Sequence, residues 1–199
     1  VFLGDNIPEG MVSQITVNNY EGTRMATRYL ISLGHRELMF LGGRDSSVTH
    51  RRRHQGFLDA VAAAANVRYD IFTILSGSKI EDGYRTGLAY FTRCIEEKRP
   101  IATGILCISD HFALGVMQAA VETGVDIPAQ VSLIGFDDVS FASLPKIQLT
   151  TISQPKEEIC DAAVRTLEEL IRTDGPASVS CKTIQPVLVR RDTCGPPGR

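Results

Sequence analysis

The sequence predicts an α/β fold built from parallel sheets with helices on both faces. Short apolar runs rich in Ile, Leu, Val and Phe alternate with longer stretches whose apolar residues recur at helical spacing. Glycines stand where such stretches should stop, at Gly34 and Gly124. With 199 residues, 43% of them hydrophobic, the chain can bury a sizeable core.

Val1–Gly4 is a short strand candidate, followed by a turn at Pro8 and Gly10. Asn18 or Asn19 can cap a helix running to Leu33, with Met25, Ala26, Tyr29, Leu30 and Leu33 on one face. Leu38–Leu41 reads as a strand, Arg51 to Ala65 as a helix and Ile71–Leu75 as the next strand. A helix over Glu81–Glu97, a strand over Gly104–Ile108 and a helix over Asp110–Glu122 continue the alternation. Strands at Val131–Gly135 and Leu149–Ser153, a helix over Lys156–Arg172 and a strand over Cys181–Val189 complete it. The end of the chain, residues 194–199, carries two prolines and two glycines and is expected to be disordered.

A formal charge of −2 and a pI near 6.1 give no global attraction to nucleic acid or membrane. No apolar run approaches the roughly 18 residues that cross a bilayer. Val1 opens inside the apolar run Val1-Phe2-Leu3, so further chain is expected upstream. Cys94, Cys107, Cys160, Cys181 and Cys194 never form a CxxC pair. Free, mostly buried thiols in the cytoplasm are the expected state.

In parallel sheets, ligands collect beyond the carboxyl ends of strands. Arg44-Asp45, Ser109-Asp110 and Asp137-Asp138 fall at such ends. Nucleotide-binding GxGxxG and GxxxxGK[ST] turns are absent, so no cofactor is expected. His50 and His54 have metal-ligand spacing, but three arginines between them would repel a dication. Ser76-Gly77-Ser78-Lys79 matches SxxK without SDN or KTG companions, and no enzyme activity is expected. Arg51-Arg52-Arg53 opposes the positive end of a helix dipole, which suits at least one of the three to gripping a ligand. Asp110 reads either as a helix-start acid or as a cleft residue. At a strand end, one acid of Asp137-Asp138 can accept hydrogen bonds from two neighbouring hydroxyls.

The string Val131-Ser132-Leu133-Ile134-Gly135-Phe136-Asp137-Asp138, followed by Leu149-Thr150-Thr151-Ile152-Ser153-Gln154-Pro155, resembles the lactose/galactose-repressor family of bacterial transcription regulators. Gly34-His35-Arg36, Arg53-His54-Gln55-Gly56-Phe57, Ser109 to Gly115, Gly124 to Pro128 and Val187 to Arg191 follow the family order. The resemblance covers residues 1–193. It implies two interleaved subdomains like those of periplasmic sugar-binding proteins, the first one incomplete. The first would comprise 1–43 and 155–182, the second 45–152 and 184–193, with crossings near Gly43–Arg44, Ile152–Gln154 and Thr183–Gln185. Arg53 and Asp137 would reach into the cleft, and Asp110, or Ser109 beside it, would line it. Family members often carry Asn-Asp where this chain has Ser109-Asp110.

The resemblance further implies an effector-binding and dimerisation body that responds to a small polar effector, a sugar or sugar derivative. Closure of the subdomains would control operator binding by a helix-turn-helix that this chain does not contain. A cytoplasmic homodimer is expected, with no membrane partner. A periplasmic sugar-binding transport protein is the rival with the same architecture.

Overall fold

Two sheets organise the chain in a computed structural model that describes residues 1–4, 10–44, 46–72, 77–172 and 178–198. The smaller sheet holds β1 (Phe2–Leu3), β2 (Gln14–Val17) and β8 (Cys181–Ile184), all parallel, in the order β1-β2-β8. Helix α5 (Lys156–Arg172) packs on it, and Ile15, Ala162 and Ile184 form its small core.

The larger sheet has the order β4-β3-β5-β6-β7-β9. It is built from β3 (Glu37–Leu41), β4 (Arg68–Phe72), β5 (Gly104–Cys107), β6 (Ser132–Asp137), β7 (Thr150–Ser153) and β9 (Val187–Val189). Every pairing is parallel except β7 with β9. Helices α1 (Asn19–Ser32) and α2 (Val48–Ala62) pack as one pair, α3 (Ile80–Glu96) and α4 (Asp110–Thr123) as the other. Right-handed crossovers place the two pairs on opposite faces. Phe40, Phe57, Phe91, Phe112, Leu133 and Ile134 lie fully buried between them.

Local chemistry sets the helix ends. Asn18 caps α1, its side chain accepting the Glu21 amide at 3.0 Å. Ser47 accepts the His50 amide at 3.3 Å, so α2 starts three residues before the expected Arg51. Ser109 does the same for Phe112 in α4, and Gly124 ends that helix with φ 72°.

Several expectations need correction. The strand β2 was not anticipated, although Ile15, Thr16 and Val17 are β-branched and all of its residues are buried. The first passage between sheets therefore falls at Val17–Asn19 and not at Gly43–Arg44. Strand β3 is hydrogen-bonded on both sides within the larger sheet, so assigning all of 1–43 to the first unit does not hold. The other two passages run from β7 to α5 and from β8 to β9. The expected single strand over Cys181–Val189 is two strands in different sheets, parted at Gln185-Pro186, where proline has no amide to donate. Strand β4 begins at Arg68, before the expected Ile71, and 73–75 lie outside the described residues.

Residues 194–198, expected to be disordered, run against the larger sheet without regular structure. Thr193 is buried, donating from its hydroxyl to the Leu133 carbonyl at 2.7 Å and accepting the Thr150 amide at 2.9 Å. The Gly195 amide donates to Ser132 Oγ at 3.0 Å, and its carbonyl lies 2.9 Å from Nε2 of the buried His35. Proline and glycine do exclude a helix or ladder here. Side chains of β6 and of the α1–β3 turn supply the missing hydrogen-bond partners. Burial lowers the pKa of His35, which keeps the ring neutral and able to donate to that carbonyl.

Candidate functional site

Arg53 lies on the buried face of α2, one turn after its start, and is only 6% exposed. Its Nε donates to Asn19 Oδ1 at 2.8 Å, at the first residue of α1. Its Nη1 donates to the Ile108 carbonyl at the end of β5. Its Nη2 donates to Asp137 Oδ1 at 3.2 Å, and its Cζ stands 3.5 Å over the Phe136 ring. The guanidinium is thus satisfied in its plane and stacked on its face, an arrangement that arginine supports and lysine does not.

Asp137 ends β6 with a left-handed backbone, φ 116°, and Asp138 follows at φ 50°. Two successive non-glycine residues in this region turn the chain sharply and aim the Asp137 carboxylate back over the strand ends. Its Oδ1 also accepts Gln154 Nε2 at 2.6 Å. Among the described residues, nothing donates to Oδ2, and the side chain is 26% exposed. A carboxylate with one oxygen fixed and the other available suits a hydroxyl-bearing ligand.

Both partners of Asp137, Arg53 and Gln154, line a cavity of about 280 Å³, while Asp137 itself stands behind them. Leu3, Val17 and Ile159 line it from the small-sheet side; Asn19, Arg53 and Gln154 line it from the passages and α2. The volume is just under the roughly 300 to 1,000 Å³ usual for ligand sites, room for a small ligand only. Polar groups converge on one wall and aliphatic ones on the other.

The remaining predicted residues sit elsewhere. Ser109 is 6% exposed, caps α4 and donates to the Ser78 carbonyl at 3.1 Å. Asp110 is 0% exposed and faces inward beneath β6 and β7, so it does not line the cleft as expected. A left-handed turn occupies the space above it. Asp138 turns away from the cavity and pairs with Arg191 Nη2 at 2.7 Å. Asp45 and Ser76 lie outside the described residues.

Nothing in the sequence marks Asn19 or Gln154 as a site residue. Both stand at passages between the sheets, where a side chain can touch both units, and that placement is the signal that could have found them. The two histidines are engaged locally. His50 Nδ1 accepts the Arg44 amide at 2.8 Å, and His54 Nε2 lies 3.2 Å from the Gly42 carbonyl. Burial, then the charges of Arg53, His54 and Arg44, hold His50 down to about 4, so its ring is neutral near pH 7.

The profile of the periplasmic binding protein-like domain matches residues 27–194. The HTH-type transcriptional repressor PurR of Yersinia enterocolitica is 34% identical over 176 residues, covering 87% of this chain and 49% of that protein. The chain belongs to the lactose/galactose-repressor family. An HTH-type transcriptional regulator of Streptomyces limosus is 34% identical over 171 residues, 79% of this chain and 44% of that one. The family chain thus spans about half the length of the curated relatives it matches. A LacI transcriptional regulator from a Rhodococcus species superposes with a TM-score of 0.85 at 27% identity, over 99% of this chain and 70% of that chain. A dimeric Lac repressor superposes at 0.83 with 26% identity, over 98% and 69%. These relatives are transcription regulators, not enzymes. No helix among the described residues is long and apolar enough to cross a membrane.

Proposed function

We propose that this chain is the effector-binding body of a transcription regulator, and that its effector is a small neutral polyol, a sugar or sugar derivative. The observation that carries the reading is the Arg53–Asp137 pair, held at the carboxyl ends of the larger sheet beside a cavity shared with the smaller one. Asp137 Oδ2 would accept from a hydroxyl, and the Asn19 and Gln154 amides flank the same ligand. Ionic acceptors of this kind contribute roughly 1.5–3 kcal/mol per hydrogen bond.

The mechanism is a population shift between inter-sheet geometries. An effector that touches both walls favours the closed one, and only by its difference in affinity for the two. The shift would reach operator DNA through a helix-turn-helix, the element after which the HTH-type relatives are named. Homodimerisation is part of the reading. Exposed Ile80, Val121 and Leu144 on the α3–α4 side, with Phe141 packed edge-on to His111, support an apolar contact there. The buried free thiols Cys94 and Cys107 suit the cytoplasm.

Calorimetric titration of the full-length protein with D-glucose, D-galactose, D-ribose and N-acetyl-D-glucosamine tests the reading. Asp137→Ala is expected to weaken the binding sugar by about 100-fold, equivalent to about 2.7 kcal/mol, with the fold retained. Unchanged affinity in the variant would remove Asp137 from the site.

A further inference from the structure

We infer that Asp110 is a positioning residue of the proposed effector site: from beneath the sheet it fixes the turn Asp137–Val139, and with it the direction of the Asp137 carboxylate. The inference rests on the effector reading for the purpose of the turn, and on geometry alone for how the turn is held. Asp110 Oδ2 accepts the Val139 amide at 2.9 Å, and Oδ1 accepts the Thr151 hydroxyl of β7 at 2.5 Å. One buried carboxylate therefore ties the residue just past the turn to the neighbouring strand.

The turn needs such a tie. Asp137 and Asp138 both occupy the left-handed region, with φ of 116° and 50°, where non-glycine residues persist only when their surroundings hold them. From outside, Arg191 Nη2 grips Asp138 Oδ1 at 2.7 Å and Lys156 Nζ grips the Asp138 carbonyl at 2.7 Å. From inside, among the described residues, only Asp110 makes a side-chain hydrogen bond to the turn's backbone. Gly135 makes room for it: a Cβ there would lie 2.1 Å from Asp110 Oδ1. The first turn of α4 adds the positive end of a helix dipole.

The charged neighbours of Asp110 oppose its ionisation. Asp137 and Asp138 face it from the turn, Cys107 faces it from β5, and Thr151 on β7 carries no charge. Burial first, then those two carboxylates, push its pKa up to about 7 against the bonds from Thr151 and Val139. The ionised group offers acceptors to both partners. The neutral acid can donate to the Thr151 hydroxyl and still accept from Val139, but through an uncharged oxygen, so the grip on the turn weakens without being lost as pH falls through this range.

Hydrogen–deuterium exchange of the full-length protein tests this at single-peptide resolution, comparing wild type, Asp110→Asn and Asp110→Ala. In Asp110→Ala, amides 138–139 are expected to exchange about tenfold faster or more, with segment 104–107 of β5 unchanged. Asp110→Asn keeps an uncharged acceptor for Val139 and is expected to restore part of the protection, to about the level of wild type at pH 5.5. After correction for intrinsic exchange, wild-type protection of Val139 is expected to be lower at pH 5.5 than at pH 8, and the Asp110→Asn protein to show no such change. Wild-type exchange at 138–139 in Asp110→Ala, or a parallel rise at 104–107, would overturn the inference. If Asp110→Ala does not fold, the pH comparison decides: the same profile in wild type and Asp110→Asn overturns it. No ligand enters the measurement, so its outcome is separate from whether Arg53 and Asp137 hold a sugar.

Discussion

Arg53→Met is expected to lower the unfolding free energy by about 3 kcal/mol and to abolish effector binding. Methionine can fill the volume over Phe136 and keep the apolar contact, so cavity formation contributes little. What is lost is polar. The buried Asn19 Oδ1 and the Ile108 carbonyl each lose a charged donor, and Asp137 keeps only Gln154. Loss of a charged donor at a buried acceptor costs about 1–3 kcal/mol. Asp137 is 26% exposed and can recover some solvation, which places the total near the lower end for a broken buried pair. Urea unfolding at pH 7 measures the stability change. A midpoint unchanged from wild type would mean that Arg53 holds nothing in the folded state.

Gly115→Ala in α4 is expected to be the most damaging single-atom addition, destabilising by about 3 kcal/mol or more. Intrinsic propensity points the other way, since alanine is favoured over glycine inside a helix by about 1 kcal/mol. Contact decides the sign. A Cβ at Gly115 would lie 2.0 Å from the Ile80 carbonyl and 2.3 Å from the Tyr84 amide nitrogen of α3. A Cβ at Gly83 would lie 2.0 Å from the Phe112 carbonyl of α4, so the two backbones touch through both glycines. Backbone has no rotamer to yield, and α3 would have to move off α4 and the sheet. Thermal unfolding of Gly115→Ala checks this. A melting temperature equal to or above that of wild type would show that the helix pair separates without penalty.

Much of the site was legible because its chemistry is local. Arg53 stands on a helix whose dipole opposes it, and Asp137 stands just past a buried strand; each is anomalous within its own element. Their contact follows once β5 and β6 pair side by side. Ser109 and Asp110 carried the same signal, polar residues after a strand, yet both side chains turn inward. That outcome depends on Gly135 leaving room under β6 and on a Thr151 hydroxyl from a strand 41 residues away. Spacing along one element contains neither fact. The passage at Val17–Asn19 was missed because four residues are too few for a periodic signal, and Asn19 reads equally well as a helix cap. The contacts of residues 194–195 were not legible for a related reason. Pro-Pro-Gly composition excludes regular structure, but it does not show that His35 and Ser132 bond the Gly195 backbone or that Thr193 bonds Leu133.

The most direct test of the account is a crystal structure of the full-length protein with whichever sugar of the titration panel binds. The sugar is expected between the two sheets, with a hydroxyl within hydrogen-bond distance of Asp137 Oδ2 and the ring in van der Waals contact with Leu3 or Val17. A sugar seated instead at the amino ends of the strands, in the cavity of about 250 Å³ lined by Glu37, Arg68, Tyr69 and Arg99, would contradict it.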